Sequence, residues 1–348
     1  MKGLIKPAFW LCLAVLVALE LGARLFFAQG FQGRFEYGYN PDSGFAEHAD
    51  GTVELFRAGG RRFHPQSFKK EPPPGTLRIF VIGDSVPRGP SLRGAYPWQL
   101  GEELRKRGVA AESLNLCLGG YGARRSRLVL EKSLQYRPSL IIWHINDSNE
   151  YEDEREYRRS QEFQGWHPRH WLMKSLIFRR LYEAKQEKVF WGLIPNKIRQ
   201  KFAASDADAQ IAASVNPAKR EAWKRRVEET TAAGVALARQ QGIPVILVTQ
   251  CRLGTASPNT LEDYGLDALG RSLTGPGVYL VSMKEVLSKV PDLPSHFADT
   301  GHLRKSGHLI LAKAIMEKIR QEGIIAGLPQ ITLPTGGKGG GPAAQPSP

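Results

Sequence analysis

Five short apolar runs punctuate the middle of the chain: Leu77 to Ile82, Leu114 to Leu118, Leu140 to Ile145, Val245 to Val248 and Val278 to Val281. Each is four to six residues long, mostly Leu and β-branched, without the alternation of a half-exposed strand. That is how strands buried on both faces of a parallel sheet look. Between them the apolar spacing changes to that of helices. Tyr96, Leu100 and Leu104 fall four apart after a helix-start proline at Pro97; Trp223, Val227, Val235 and Ala238 mark a second helix, and Leu311, Ile315 and Ile319 a third. Strands alternating with helices predict right-handed crossovers and a doubly wound α/β fold, with five strands in a flavodoxin-like order and a site at their carboxyl ends.

Ahead of this pattern, Leu4 to Phe27 is apolar apart from Lys6, Glu20 and Arg24. As a helix it would extend roughly 36 Å, enough to cross a bilayer. Glu20 and Arg24, four apart, can pair near one end. Lys2 and Lys6 favour a cytoplasmic N-terminus and export of everything that follows. A cleaved signal peptide is the rival, with Ala23 and Ala28 small enough for processing. An uncleaved anchor is preferred because Leu25, Phe26 and Phe27 resume the apolar register past Arg24. The expected organisation is an anchor over 1–27, an extended stalk over 28–75 rich in Gly, Arg and Phe, a catalytic domain over 76–325, and a disordered Gly- and Pro-rich tail over 326–348. Within the domain, 149–220 is too long for an ordinary crossover. Its acidic run Glu150 to Glu156 leads into a basic and aromatic stretch with Trp166, Trp171, Phe178, Arg179, Arg180, Tyr182, Phe190 and Trp191. Two readings stay open for it: a helical lid, or a helical layer that packs its aromatics into the core.

Composition narrows the chemistry only a little. A formal charge of +14 over 348 residues suits anionic partners without choosing among them, and export argues against nucleic acid. Cys12, Cys117 and Cys251 make no disulfide framework. The last two end strands expected roughly 14 Å apart, by the spacing of about 4.8 Å per strand, beyond the reach of a bridge. His and Cys show no paired spacing of the kind zinc sites use, and no metal or cofactor is called for.

The first buried strand runs into Gly83-Asp84-Ser85-Val86-Pro87-Arg88-Gly89. A serine between glycines directly after a strand sits where the backbone turns sharply and presents Oγ at the carboxyl end. Alone, Gly-Asp-Ser is also ordinary turn chemistry. Three later features add weight: Asn115 to Gly122 with its Gly119-Gly120 pair, His144-Ile145-Asn146-Asp147, and Asp299-Thr300-Gly301-His302 before the last helix. The ends of successive parallel strands converge, so the Ser85, Gly120 and Asn146 turns are expected to meet. A serine hydroxyl needs a base to take its proton, and a developing oxyanion needs fixed donors.

These four blocks, in this order, resemble the SGNH/GDSL hydrolase superfamily over roughly residues 76 to 325. The resemblance implies a flavodoxin-like sandwich, Ser85 as nucleophile, His302 as base and Asp299 as its orienting acid. It also implies an oxyanion hole from the Ser85 and Gly120 N–H groups and the Asn146 amide. One position departs from the family pattern: His144 stands where glycine is usual. It is a candidate substrate contact, against the competing reading of a packed, satisfied histidine. His296, six residues before His302, is a competing base. The anchor and the stretch Gly38 to Phe45 also look like a bacterial subgroup of anchored members. The function implied is a serine-dependent ester hydrolase or acyltransferase outside the cytoplasmic membrane, acting on acyl, including O-acetyl, esters of cell-envelope glycans. A lysophospholipase or thioesterase, and a catalytically silent module that binds glycan or lipid, are the alternatives.

Overall fold

The computed structural model describes residues 5–27, 39, 44–58, 61–164, 171–172, 174–178, 181, 216–254, 257 and 259–325. In chain order these form α1 (Ile5–Phe27), a small sheet of β1 (Phe45–Glu47), β2 (Thr52–Ala58) and β3 (Arg61–Lys69), then β4 (Leu77–Gly83), α2 (Ser85–Arg88), α3 (Tyr96–Arg105) and β5 (Ala111–Cys117). There follow α4 (Ala123–Leu134), β6 (Leu140–Ile145), α5 (Glu150–Gln164), α6 (Pro217–Gln240), β7 (Val245–Thr249), β8 (Arg252–Leu253) and β9 (Leu261–Glu262). The remainder is α7 (Leu266–Ser272), β10 (Val278–Ser282), α8 (Met283–Leu287), a short 3-10 turn (Leu293–His296) and α9 (Lys305–Gln321).

The main sheet has five parallel strands in the order β10-β7-β6-β4-β5, the flavodoxin-like order. Period-two geometry divides its side chains between two cores. Phe80, Ile82, Ile141, Trp143 and Leu247 face one layer, with Val129 and Leu130 of α4 and Val227 and Val235 of α6. Ile79, Val81, Ile142, Ile246 and Val248 face the other, with Tyr96, Leu100 and Leu104 of α3 and Leu311, Ile315 and Ile319 of α9. Every residue of β4 and β6 is buried, which accounts for the unbroken apolar runs. The three helices marked by apolar spacing are α3, α6 and α9.

The segment expected as an extended stalk differs from that expectation. The strands β1, β2 and β3 make an antiparallel sheet whose Phe45, Val53, Leu55, Phe63 and Phe68 join the first core. Phe68 lies 5.5 Å from Phe80 and 5.2 Å from Tyr136, ring centre to ring centre. Arg78, wholly buried in β4, fastens the small sheet: it donates to Lys69 O (2.7 Å) and Lys70 O (3.0 Å) while pairing with Glu112 at 2.6 Å. Gln66 on β3 exchanges two hydrogen bonds with the Asn115 backbone of β5, at 2.9 and 3.0 Å. Gly, Arg and turn residues hide this in sequence, because the five apolar anchors are spread over 24 residues and the stabilising partners lie elsewhere in the chain.

The apolar span Pro7–Phe26 in α1 is long and hydrophobic enough to cross a membrane, with mean hydropathy 2.0. Glu20 and Arg24 pair at 2.9 Å. All three cysteines are free, and β4 and β6 separate the strands that Cys117 and Cys251 end. The tail from 326 and much of the basic and aromatic stretch, Trp166, Phe190 and Trp191 included, lie outside the described residues.

Phe68→Ala is expected to lower the stability of the full chain by about 3–5 kcal/mol, the usual cost of removing a buried phenylalanine. Urea unfolding followed by tryptophan fluorescence should show the main transition itself moving; a main transition left in place would mean that the small sheet is an independent appendage.

Candidate functional site

The carboxyl ends of β4, β5 and β6 present Ser85, the Gly119-Gly120 turn and Asn146, and the loop before α9 closes on them with His302. Ser85 Oγ lies 2.8 Å from His302 Nε2. His302 Nδ1 lies 2.8 and 3.1 Å from the two oxygens of Asp299. A carboxylate only accepts, so Nδ1 carries the proton and Nε2 is left to accept from the serine hydroxyl. Asp299 Oδ1 also accepts from the Gly301 and His302 backbone N–H groups, both at 2.8 Å, which makes a single turn of Asp299 and His302. Burial raises the Asp299 pKa, but those two N–H donors and the imidazole outweigh it and hold the carboxyl below its usual range. His302 stays exposed, whereas His296 turns away to Ser306 Oγ at 2.9 Å.

The turn that carries Ser85 is fixed from several sides. Asp84 caps α2 by accepting from Val86 N–H at 3.0 Å, and its other oxygen accepts from Asn149 Nδ2 at 2.6 Å. Burial pushes the Asp84 carboxyl up to about 6, against the pull of those donors and of His302. At the far end of α2 the Arg88 carbonyl accepts from Asn115 Nδ2 at 3.2 Å and lies 2.9 Å from His64 Nε2. Because a carbonyl only accepts, His64 is the donor there, and burial lowers its pKa and favours the neutral ring.

The glycine turn stands beside the serine: a side-chain carbon at Gly119 would sit 3.8 Å from Ser85 Cβ. Gly120 has φ +78°, a left-handed backbone that glycine adopts without strain. Its carbonyl accepts from Arg125 Nη2 at 2.5 Å, and Arg125 Nε bonds Asp153 Oδ1 at 2.6 Å, both side chains being fully buried. Glu150 supplies the missing cap of α4 by accepting from Ala123 N–H at 2.8 Å. The fit is tight, since a Cβ at Gly122 would come within 2.6 Å of Asp153 Cβ. The acidic run that opens the insertion is therefore packed, with Glu150, Asp153 and Glu156 all buried. Asn146 Oδ1 accepts from Ser148 N–H and Oγ, each at 3.0 Å, which leaves Nδ2 as the amide's donor end.

His144 does not reach this surface. It is buried at 1% exposure, its ring stacked 6.1 Å from Tyr96, with Nδ1 3.5 Å from the Tyr96 hydroxyl and no hydrogen-bond partner at Nε2 among the described residues. It is a packed histidine, but not a satisfied one. Across Tyr96 lies His308, also buried, whose Nδ1 accepts from the Tyr96 N–H at 3.3 Å. Burial pushes these imidazoles down to about 3 and about 4, so both are neutral.

Several contributors escaped the sequence reading: His64, Asn149, Arg125, Asp153 and Arg252. Arg252 follows the end of β7, pairs with Asp147 at 3.1 Å and lies over the Tyr264 ring at 5.1 Å. It was findable by the same strand-end argument that picked out Asn146. Beside Asp147 opens a groove of about 290 Å³, lined by Glu221, Lys224 and Arg225 of α6 and by Tyr264 and Leu269.

No family model and no curated relative matches the chain. Solved structures do show likeness. One is the acetyl xylan esterase AlAXEase, at 13% identity over 70% of this chain and 100% of that one, with a TM-score of 0.41. A catalytic mutant of an acetylxylan esterase from Geobacillus stearothermophilus gives 15% identity, 70% and 94% coverage and a TM-score of 0.43. A GDSL-like lipase from Bacteroides thetaiotaomicron gives 11%, 70% and 88%, with 0.39.

Burial, and then the neighbouring Asp153 charge, pushes the Glu150 carboxyl above the usual carboxylate range. Its folded pKa thus exceeds the unfolded value of about 4.3, so its contribution is full below that value and is lost as pH rises through the folded one. Glu150→Gln keeps an oxygen for Ala123 N–H and removes the titration. Its urea midpoint is expected to match that of the parent near pH 5 and to exceed it by pH 9. A gap that does not change between these pH values would contradict this account.

Proposed function

We propose that the chain is a serine-dependent carboxylic ester hydrolase of the SGNH/GDSL type, held at the cytoplasmic membrane by α1 with its catalytic domain outside the cytoplasm. The observation that carries this reading is the unbroken hydrogen-bonded series Ser85 Oγ, His302 Nε2, His302 Nδ1, Asp299, set at the sheet edge that also presents Gly120 and Asn146.

In this reading Ser85 Oγ attacks the ester carbonyl as His302 Nε2 takes its proton, and Asp299 stabilises the imidazolium and keeps the ring oriented. Negative charge gathers on the former carbonyl oxygen, within reach of the Ser85 and Gly120 N–H groups and Asn146 Nδ2. Collapse of the tetrahedral intermediate returns the proton from His302 to the departing alcohol and leaves an acyl group on Ser85. Water then completes hydrolysis by the same proton path in reverse, and a sugar hydroxyl in its place gives acyl transfer. Arg125, through the Gly120 carbonyl, and Asp84, through the α2 cap, are positioning residues: they hold donors and nucleophile before substrate arrives. The acyl esters proposed are those of cell-envelope glycans, O-acetyl among them. The groove at Asp147 offers such a substrate the charged side chains of Glu221, Lys224, Arg225 and Glu228 and the Tyr264 ring, beside an apolar wall of Val227, Leu266, Ala268 and Leu269.

Ser85→Ala is expected to abolish hydrolysis of p-nitrophenyl acetate and labelling by a fluorophosphonate while the chain stays folded; a labelled mutant would refute the nucleophile. Asn146→Ala should lower kcat by about a hundredfold to a thousandfold at nearly constant KM, the usual size for one lost oxyanion donor. A rise in KM alone would make Asn146 a binding residue. His296→Gln should leave activity unchanged, and short acyl esters should be turned over better than long ones. For the topology, alkaline phosphatase fused after Gly336 should be active in a bacterial host, and an inactive fusion would reverse the orientation.

A further inference from the structure

Glu20 sits inside the apolar span, seven residues before the end of α1 at Phe27 and so about 10 Å along the helix axis from that end. A carboxylate at that depth in a bilayer is costly unless donors accompany it. Arg24 Nε supplies one at 2.9 Å. The other three come from a distant part of the chain: Ser175 Oγ at 2.7 Å, Leu176 N–H at 2.9 Å and Ile177 N–H at 3.2 Å. Arg24 completes the joint by donating to the Lys174 carbonyl at 3.0 Å. The dependence runs both ways, since backbone N–H groups at membrane depth need an acceptor from protein.

The same short stretch leaves apolar surface bare. Trp171 is 68% exposed, Leu172 42% and Leu181 53%, whereas Leu176 beside the joint is 6% exposed. Like them, the apolar side chains of α1, such as Trp10, Leu11 and Leu16, are uncovered by protein. A tryptophan with flanking leucines at such a position suits the boundary between headgroups and acyl chains.

We infer that residues 171–172, 174–178 and 181 belong to a lipid-embedded element, clamped to the anchor by Glu20, with Trp171, Leu172 and Leu181 in contact with the outer leaflet of the bilayer. The inference rests on α1 being retained as a membrane span. The occupant of this surface is lipid: the clamp fixes it to a helix whose own outward residues require lipid, and it does so well short of the helix end.

The test uses the full chain carrying Cys12→Ser, Cys117 and Cys251 being buried, reconstituted in phosphatidylcholine and phosphatidylglycerol vesicles. Nitroxide labels are placed at Leu172→Cys, Leu181→Cys and, as an exposed reference, Lys289→Cys. The ratio of collisions with oxygen to collisions with a water-soluble nickel complex should be several-fold higher at the first two positions than at the reference. Adding Glu20→Leu should bring the ratio at Leu172→Cys toward the reference value. If intact-mass measurement shows the N-terminal helix present and the labels are as open to nickel as the reference, the clamp is wrong while the anchor stands. Loss of the helix from the mature protein would overturn both. Spin-spin broadening at Leu172→Cys would overturn the lipid assignment in favour of a second copy.

Discussion

The molecule is organised by a property of parallel sheets: all carboxyl ends emerge at one edge, and the backbone groups there have no further strand to pair with. Side chains and turns must satisfy them, which concentrates polar groups at one rim of an otherwise apolar body. Here the rim holds Ser85, Gly120 and Asn146 within a few residues of strand ends that are themselves fully buried. Rigidity comes from the sheet and reactivity from the turns. His302 arrives last, on a loop whose conformation Asp299 fixes with both backbone and side-chain contacts.

Around that rim the supporting contacts are mostly with groups whose ionisation burial has altered. Asp84, Glu150, His144 and His308 are displaced toward their neutral forms, while Arg125 and Asp153 stay paired to each other. Such a surround has few ways to rearrange, because separating Arg125 from Asp153 would leave a buried charge without compensation and parting the neutral groups would leave buried polar atoms unpaired. The Gly120 turn is thus tied through Arg125 and Asp153 to α5, so the helix that opens the insertion is structural at its first two turns.

The five strands and three of the helices were legible because each is a local pattern of burial with its own period. The proposed catalytic constellation was legible for a related reason: Ser85, Gly120, Asn146 and the Asp299-to-His302 turn each follow a recognisable strand or precede a recognisable helix, in an order that resembles a known family. What escaped reading is non-local. Nothing beside His64, Gln66 or Arg125 in sequence announces Arg88, Asn115 or Gly120 as a partner, and the apolar anchors of residues 45–69 are too widely spaced to signal a sheet. The packing of the acidic run at 150–156 was not legible because its partners Ala123, Arg125 and Arg226 lie on other helices. His144 could be read as a substrate contact or as a packed, satisfied side chain, and only the structure shows it packed with one ring nitrogen lacking a mate among the described residues.

Gln66 has a consequence for anyone shortening the chain. Its amide occupies the N–H and C=O of Asn115 on β5, the outermost strand on that side. Cutting at the obvious composition break, after the prolines at 72–74, would strip this cover, open those backbone groups to pairing with other molecules, and bare Phe80 and Tyr136 where Phe68 now lies. A soluble version that keeps this edge covered has to begin before Phe45, so that the small sheet travels with the domain it shields.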